Sequence, residues 1–419
     1  MTHRLYYTAP DLLEFEAKVV DVVPPSGEEK RPAIVLDQTA FYPTSGGQVF
    51  DTGWVSSNGG GENYRVVEVA EREDGTILHF VEECALPSPG TSLRGAIDAQ
   101  RRHDHMQQHT GQHVISAAFE RLFNMRTVSF HMGDETCTID LETKAVSEEQ
   151  ASEAARLANE IIFEDRPVEI HFVTPDEARG MGVRKIPPVE REKLRLIEVR
   201  DFDLCACGGT HVHRTGQIGC ILLRKREKVR QGVRVEFVCG RRALEIAGRD
   251  YAALTEAATV FSSHVWDVPQ QVRKVLDEAR AARKSYEKLQ GEAAELLAAT
   301  MLAEALLQGN IKVITQVFAE RDLTFIKLLA QKLTRAGENA VALLGASSGA
   351  PSLVFAQSPG APFDMSALMK EAVAAAGGRG GGTRDLAQGG VASADRLQST
   401  ITSVAERVRS QILNGSARS

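Results

Sequence analysis

The sequence is short of the features that define several classes of protein. Six cysteines in 419 residues are too few for a disulfide-stapled secreted domain. No run of about 18 apolar residues is present that could span a membrane. The N-terminal segment also lacks the apolar block of a signal peptide. These absences predict a cytoplasmic protein with reduced thiols and no membrane contact.

Excess positive charge is also lacking, because the formal net charge is −7. This excludes a protein coated in basic residues but not a local basic surface, since binding depends on where the charge is concentrated. Residues 220–249 contain nine lysines and arginines against three glutamates. Each of these basic residues is either a phosphate contact or part of a solvated hairpin, and the sequence leaves both interpretations open.

The pattern of apolar residues changes along the chain and predicts an α+β multidomain fold. Residues 1–95 contain short β-branched runs between turn residues, which favours a small β-barrel or a sandwich. Residues 96–249 mix helices with strands and form the predicted α+β domain. Residues 250–308 are helical, and residues 309–419 alternate strands with helices.

Several elements can be bounded from the sequence. A proline-free helix is predicted from Asp98 to Phe123, with His109 and His113 on one face. A second helix is predicted from Ser147 to Glu164, with Gln150 completing a capping box. Strands are predicted at Val168–Val173, Leu194–Val199, Ile218–Leu223, Val233–Val238, 311–318, 340–347 and 352–358, and further helices at Thr324–Arg335 and Met365–Ala376.

A heptad pattern marks the helical segment. Apolar residues recur at alternating spacings of four and three, at Val268, Val272, Val275, Ala279, Ala282, Tyr286, Leu289, Ala293 and Leu296. This seam favours a coiled coil with a second copy or an intramolecular helical hairpin. The alanines and Gly291 weaken the seam, so both alternatives remain open.

Two pairs of histidine and cysteine residues predict a metal site. His109 and His113 are four residues apart on one helix, so their imidazoles can reach one cation. Cys207 and His211 have the same spacing, with Gly208 and Gly209 forming a turn between them. Three imidazoles and one thiolate suit a tetrahedral zinc ion, and we expect one zinc per chain.

Each pair alone is weak evidence, because such spacings also arise by chance. His103 and His105 could extend a longer histidine stripe, although surface or supporting roles are the simpler interpretation. Cys205 could chelate a metal together with Cys207 if its side chain folded back. We rank it below the four ligands named above.

Four motifs in order give the sequence a family resemblance. The sequence HTGQH at 109–113, followed by CGGTHV at 207–212, resembles the editing domain of alanyl-tRNA synthetases and of their free-standing relatives, the AlaX proteins. The related editing domain of threonyl-tRNA synthetase has Gly-Pro ahead of the matching histidine, where this chain has Gly209-Thr210. The segments RLYYTAPDLLEFEAKVV at the start and FYPTSGGQVFDTG at 41–53 are similar to the region preceding the editing core.

The fourth motif is glycine-rich. The stretch GGRGGGTRDLAQGG at 377–390 resembles the DHH-associated domain that follows the editing core in the synthetases. That domain usually has a basic residue and then Pro-Asp-Met, where this chain has Thr383 to Leu386. Without the resemblance, seven glycines in this stretch would indicate a flexible loop. Together the motifs resemble the long form of AlaX.

The resemblance implies four domains. These are a β-barrel-like domain with a Gly-Gly-Gln loop at 1–95, a zinc-dependent editing domain at 96–249, a helical linker or coiled coil at 250–308, and a DHH-associated tRNA-binding domain at 309–419. It also implies hydrolysis of the ester of tRNA(Ala) mischarged with serine, or with glycine, with zinc held by His109, His113, Cys207 and His211.

Further site residues follow from the resemblance and from charge. Substrate contacts are expected from Thr44, Ser45, Gly46, Gly47 and Gln48, with the hydroxyl of Thr44 or Ser45 binding the serine side chain. Contacts to tRNA are expected from Arg224, Lys225, Arg226, Gly380, Gly381, Gly382 and Arg384. The chain carries no phosphate-binding G-x-x-x-x-G-K-[ST] loop and begins directly with the β segment, so we expect neither ATP use nor aminoacylation.

Two alternatives belong to other functional classes. The first is a non-catalytic tRNA-binding protein whose zinc is structural. The second is a phosphoesterase that shares the DHH-associated domain, but the required Asp-His-His tripeptide is absent and His103-Asp104-His105 has the wrong order. A homodimer through the helical linker or the C-terminal domain is the predicted oligomer.

Overall fold

A computed structural model of the chain describes residues 2–25, 29, 31–57, 62–82, 86–184 and 192–416, with side chains to Leu413. The chain folds into two compact units, Met1–Ala257 and Ala258–Ser419. None of the described helices combines the length and the hydropathy needed to cross a bilayer. Five cysteines in the described part are free thiols, and Cys84 lies outside it.

The first unit begins with a closed β-barrel. Six strands pair in the order β2-β3-β7-β6-β5-β8, and β1 pairs with β4 beside them. Closure leaves the sheet without free edges, and alternate residues such as Phe15, Val55 and Val66 fill the interior. The prediction of a small barrel is confirmed. The strands are β1 (His3–Arg4), β2 (Glu14–Val23), β3 (Ala33–Leu36), β4 (Gln38–Thr39), β5 (Gly53–Ser57), β6 (Asn63–Glu71), β7 (Ile77–Val81) and β8 (Ser92–Ile97).

The rest of the first unit combines helices with two antiparallel sheets. These pair in the orders β14-β15-β10-β9 and β11-β12-β13, and α1 and α2 share one apolar core with the first of them. The elements are α1 (Ala99–Phe123), β9 (Thr127–Met132), β10 (Cys137–Leu141), α2 (Glu148–Phe163), β11 (Val168–Val173), α3 (Pro175–Gly180), β12 (Leu194–Val199), β13 (Asp203–Ala206), β14 (Ile221–Val229), β15 (Gly232–Cys239) and α4 (Gly240–Val260).

Local sequence signals set the ends of the first two helices. The Asp98 side chain accepts a hydrogen bond from the backbone of Arg101 and begins α1, and Asn124 ends it in the left-handed region. Ser147 and Gln150 form the predicted capping box at the start of α2. The strand predicted at Ile218–Leu223 begins later than expected. Residues Thr215–Ile218 form a 3-10 helix instead, and β14 begins only at Ile221.

The second unit is a six-stranded sheet with helices on both faces. The strand order is β16-β17-β18-β19-β21-β20, and only the β17·β18 pair is parallel. The elements are α5 (Val268–Glu304), β16 (Leu307–Gln308), β17 (Ile311–Phe318), α6 (Leu323–Ala336), β18 (Ala340–Ala346), β19 (Ser352–Gln357), α7 (Met365–Ala375), β20 (Arg379–Gly382), β21 (Leu386–Gly390) and α8 (Asp395–Ser416).

Two apolar cores, one on each face, explain the unbroken apolar runs of the central strands. Alternate residues of β18 enter different cores: Val341 packs with α7 and α8, whereas Ala342 packs with α6 and the C-terminal end of α5. A strand buried on both faces has no polar alternation. This is why the sequence predicts these strands well.

The glycine-rich stretch is regular structure rather than a loop. Its glycines lie mainly in the antiparallel strands β20 and β21, against which α7 packs closely. A Cβ on Gly389 would come within 2.7 Å of Val373 Cγ1 and 2.9 Å of Met369 Sδ. Glycine is therefore required by the approach of a helix to the sheet.

Candidate metal centre and adjoining cavity

The four predicted ligands come together in the first unit. Helix α1 presents His109 and His113 one turn apart, and the segment after β13 presents Cys207 and His211. One ligand atom from each residue lies within 4.8 Å of all the others. The Cys207 Sγ atom is 3.3 Å from His109 Nε2 and 3.4 Å from His211 Nε2.

Backbone contacts hold the cysteine in place. The Cys207 N–H donates to the Arg195 carbonyl oxygen at 3.1 Å, and Arg195 Nη1 donates back to the Cys207 carbonyl oxygen at 2.7 Å. The turn that follows needs glycine, because a Cβ on Gly209 would lie 2.1 Å from His109 Cε1. The glycine pair therefore lets the backbone approach the histidine ring.

Each histidine of the cluster has a partner for its Nδ1 atom. The pairs are His109 with Gln48 Oε1 at 2.6 Å, His113 with Asp203 Oδ2 at 3.2 Å, and His211 with Thr110 Oγ1 at 3.2 Å. Such outer partners commonly fix the ring and the tautomer of metal-binding histidines. Two of the rings then direct Nε2 toward the thiol of Cys207.

The electrostatics of the cluster favour a thiolate. Burial alone would raise the pKa of the Cys207 thiol, but the neighbouring His109 and His211 rings hold that pKa well below its usual value. Burial would lower the pKa of His113, but hydrogen bonds to Asp203 and Cys207 raise it to about 9. Burial lowers the pKa of His211 to about 3. A cysteine ligand must be deprotonated, so the lowered pKa of Cys207 suits metal binding, whereas His113 must release its proton when a metal binds.

The donor set fits a zinc ion. Bonds of about 2.0–2.1 Å to nitrogen and 2.3 Å to sulfur place tetrahedral N and S ligands about 3.5 Å apart. The two N–S separations in the cluster, 3.3 and 3.4 Å, are close to that value. Three of the four residues are buried and Cys207 is half-buried. The group could therefore hold a metal ion.

A cavity of about 390 Å³ adjoins the ligands. Gln112, Thr127 and Ser129 supply polar lining and were not predicted from the sequence. Gln112 lies within HTGQH, where only the two histidines were assigned a role, and Thr127 and Ser129 belong to no motif. The lining residues are Gly46, His109, Gln112, His113, Thr127, Val128, Ser129, Phe130, Arg184, Cys205, Ala206, Cys207 and Gly208.

The five predicted substrate residues occupy different positions. Gly46 lines the cavity, and Gly47 packs so tightly on β9 that a Cβ would lie 2.4 Å from the Phe130 carbonyl oxygen. Gln48 is buried and bonded to His109. Thr44 and Ser45 are exposed, and neither is among the described residues that line this cavity.

The predicted tRNA contacts lie in both units. Arg224 pairs with Asp250, Lys225 with Glu227, and Arg226 with Glu148. Ion pairs of this kind near the surface contribute little to stability. In the second unit, Gly380, Gly381 and Gly382 lie in β20, and the Arg384 side chain donates to the Phe363 carbonyl oxygen at 3.2 Å.

Comparison with protein families finds two matches. Residues 194–235 match the threonyl and alanyl tRNA synthetase second additional domain. Residues 10–101 match the class II (A) tRNA synthetases. The first match contains Cys207 and His211, and the second contains Gln48.

Among curated proteins, the alanyl-tRNA editing protein AlaX-L of Pyrococcus horikoshii is 31% identical to this chain, over 93% of the chain and 95% of the relative. The chain belongs to the AlaX-L family. The alanine–tRNA ligases of Archaeoglobus fulgidus and Pyrococcus abyssi are 34% and 33% identical over 93% and 96% of the chain. The chain spans only 42% and 43% of the length of these two ligases.

Proposed function

We propose that this AlaX-L family member is a trans-editing deacylase that hydrolyses the ester of tRNA(Ala) mischarged with serine, and of tRNA(Ala) mischarged with glycine. It acts in the cytoplasm with one zinc ion per chain and neither uses ATP nor charges tRNA. The observation that carries the proposal is the buried cluster of three imidazoles and one thiol beside a cavity.

His109, His113, Cys207 and His211 hold the ion in this proposal. Zinc in such a site supplies Lewis acidity that polarises an ester or activates water. In this proposal the cavity admits the aminoacyl end of the substrate, with His109, His113 and Cys207 on its wall. Thr127 and Ser129 are among the residues that line the cavity. Their hydroxyls donate to Ser116 and Asp140, so in this proposal one of them accepts a hydrogen bond from the seryl hydroxyl. Thr44 and Ser45 lie on the same loop as Gly46 and remain alternatives for this role.

A single deacylation experiment tests the proposal. Seryl-, glycyl- and alanyl-tRNA(Ala) are incubated with the wild-type protein, with Cys207→Ala and with Cys220→Ala. Cys220 is a matched control, because it is also a half-buried free cysteine but belongs to neither the ligand cluster nor the cavity lining. We expect rapid loss of the seryl ester, slow loss of the alanyl ester, and a fall to the enzyme-free rate for Cys207→Ala only.

The second candidate is a non-catalytic tRNA-binding protein with structural zinc. It is favoured by the count of four protein ligands, which is typical of closed structural sites. In that case seryl-tRNA(Ala) survives incubation with the wild type, although metal analysis finds about one zinc per cluster. Equal hydrolysis of the seryl and alanyl esters contradicts editing, and a wild-type protein without zinc contradicts both candidates.

The proposed tRNA contacts and the proposed dimer extend this function. The basic residues of β14 and the glycine strand β20 are the tRNA-facing elements in this proposal, because none of their predicted contact residues is buried. The second copy pairs along α5, whose seam residues from Val272 to Leu296 are exposed. Binding of tRNA and dimer formation can each be measured on the full chain.

A further inference from the structure

The barrel contributes one side chain to the metal cluster. Gln48 follows the two glycines of the loop between β4 and β5, and its side chain is fully buried. Its Oε1 atom lies 2.6 Å from His109 Nδ1 and accepts from the Thr210 backbone N–H at 3.1 Å. Its Nε2 atom donates to Thr210 Oγ1 at 2.9 Å. Gln48 therefore links the α1 ligand His109 to the segment that carries the ligands Cys207 and His211.

These contacts determine where the His109 proton lies. A backbone N–H can only donate, so the Gln48 atom that faces Thr210 N must be the oxygen. The same oxygen can only accept from His109, so the proton must be on Nδ1 of the imidazole. The lone pair then lies on Nε2, which is the atom 3.3 Å from Cys207 Sγ. Neutral imidazole with a free Nε2 is the metal-binding form.

The ring of His109 has little freedom on its other sides. Phe130 packs on it with a centroid distance of 5.4 Å and an interplanar angle of 32°. On another side, the segment that carries Cys207 and His211 lies so close that a Cβ at Gly209 would clash with the His109 ring. Among the described residues, Gln48 is the only hydrogen-bond partner of His109 Nδ1.

The loop that carries Gln48 is fixed at several points. Three residues later, Asp51 accepts from Arg102 at 2.5 Å and from the Tyr42 backbone N–H at 2.7 Å. The Met132 N–H donates to the Gly47 carbonyl oxygen at 2.8 Å. Arg102 precedes His109 by seven residues, which is two turns of α1, so both point to one side of the helix. The loop thus contacts α1 at two places on one face.

We propose that Gln48 is a positioning residue, which fixes the Nδ1 proton and the ring orientation of His109 so that the barrel completes a metal centre whose four ligands all lie outside it. This inference rests on the proposed function, because it requires a metal ion at the cluster. It assigns to the third residue of the Gly-Gly-Gln motif a role other than direct substrate contact.

Metal binding to the apo full-length protein tests this role separately from hydrolysis. Co²⁺ is titrated into the wild type, Gln48→Met, Gln48→Asn and Gln48→Glu, and the absorption spectrum and Kd are recorded. Methionine keeps the size but accepts no strong hydrogen bond, asparagine is one methylene too short, and glutamate can still accept from both His109 and Thr210. Ser45→Ala in the same loop is the matched control, because Ser45 is exposed.

We expect Gln48→Met and Gln48→Asn to bind Co²⁺ about 10–100-fold more weakly, with altered d–d bands, because loss of an outer partner of a ligand has effects of this size. Gln48→Glu and Ser45→Ala should bind as the wild type does, within about threefold. If Gln48→Met does not fold, the difference in Co²⁺ affinity between Gln48→Asn and Gln48→Glu tests the inference.

Wild-type affinity and an unchanged spectrum in Gln48→Asn and in any folded Gln48→Met would overturn the inference, even if deacylation fell. Equal weakening in Ser45→Ala would also overturn it, because the effect would then belong to the loop as a whole. Failure of the proposed function is a different result, since it appears as a wild-type protein that binds no metal or hydrolyses no ester.

Discussion

The two longest helices of the protein have opposite relations between composition and burial. Helix α1 has 25 residues, and the 16 buried ones include arginine, glutamine, threonine and histidine. Helix α5 has 37 residues with an apolar heptad seam, but only Val268, Ala294 and Ala298 are buried. Apolar content alone would have assigned the core helix wrongly. What matters is whether each helix face has a partner within the chain.

Helix α1 can be buried because most of its buried polar side chains are hydrogen-bonded, although His105 Nδ1 has no hydrogen-bond partner among the described residues. The Gln108 amide accepts from the Cys239 N–H at 2.9 Å and donates to the Cys239 carbonyl oxygen at 3.0 Å. Gln112 donates to Ser116 on the same helix at 2.9 Å. A buried polar group is tolerated when it is hydrogen-bonded, so this helix can present ligands inside the protein.

Helix α5 keeps its seam exposed because it packs through another face. Ala294 and Ala298 enter the core beside α6, while Leu289 and Leu296 on the seam are 62% and 73% exposed. Within the second unit, no described residue covers the seam from Val272 to Leu296. The intramolecular hairpin and the pairing with a second copy both stay predictions.

The largest effect should come from breaking the buried ion pair of α1. Arg102→Met leaves the Asp51 carboxylate, which has no exposed surface, without its cation. Breaking a buried pair on one side costs about 3–5 kcal/mol. We expect the free energy of unfolding of the first unit to fall by this amount, as measured by urea denaturation of the full chain.

The double variant Arg102→Met with Asp51→Asn is the control for that prediction. Asparagine can still accept from the Tyr42 N–H, which Asp51 binds in the native protein. We expect most of the lost stability to return, because no unpaired charge remains. A single variant as stable as the wild type would show that the burial of α1 does not depend on this pair.

A smaller loss of stability is expected from adding a side chain at Gly111 on α1. A Cβ on Gly111 would lie 2.2 Å from Cys239 Sγ and 3.4 Å from Cys239 Cβ. Gly111→Ala should therefore destabilise the first unit by about 1–3 kcal/mol through overpacking, although alanine favours a helix. Adding Cys239→Ala removes the sulfur atom and should restore part of the loss. Additive single effects in this double-mutant cycle would argue against the contact.

The comparison of the helices also shows how far the sequence could predict the structure. Local signals were sufficient for α2, whose capping box lies within four residues, and for β11 and β12, which have the predicted bounds. The four ligands came together as predicted, because their types and spacings restrict the chemistry. Their roles as zinc ligands, the four domain boundaries and the tRNA contacts stay predictions.

The failures concern partners that are distant in sequence. Gln48 lies 61 residues before His109, and the Gly-Gly-Gln motif does not indicate which side chain Gln48 contacts. The tRNA contacts expected of Gly380, Gly381 and Gly382 stay predictions, but the packing of Met369 and Val373 from α7 gives the glycines of β20 and β21 a second role that the sequence did not indicate. Helix α8 was not predicted at all. In each case the deciding contact is tertiary rather than local.

The smallest effect on stability is expected on α5. Tyr286→Ser and Leu289→Ser change seam residues that are 60% and 62% exposed, so each should alter the free energy of unfolding of an isolated chain by less than about 0.5 kcal/mol. Ala298→Leu, on the buried face of the same helix, is the control and should destabilise the second unit by about 1–3 kcal/mol. Sedimentation of the full chain tests whether a second copy covers the seam. If it does, the serine variants shift the equilibrium from dimer toward monomer. A wild-type chain that stays monomeric at all concentrations would contradict pairing along α5.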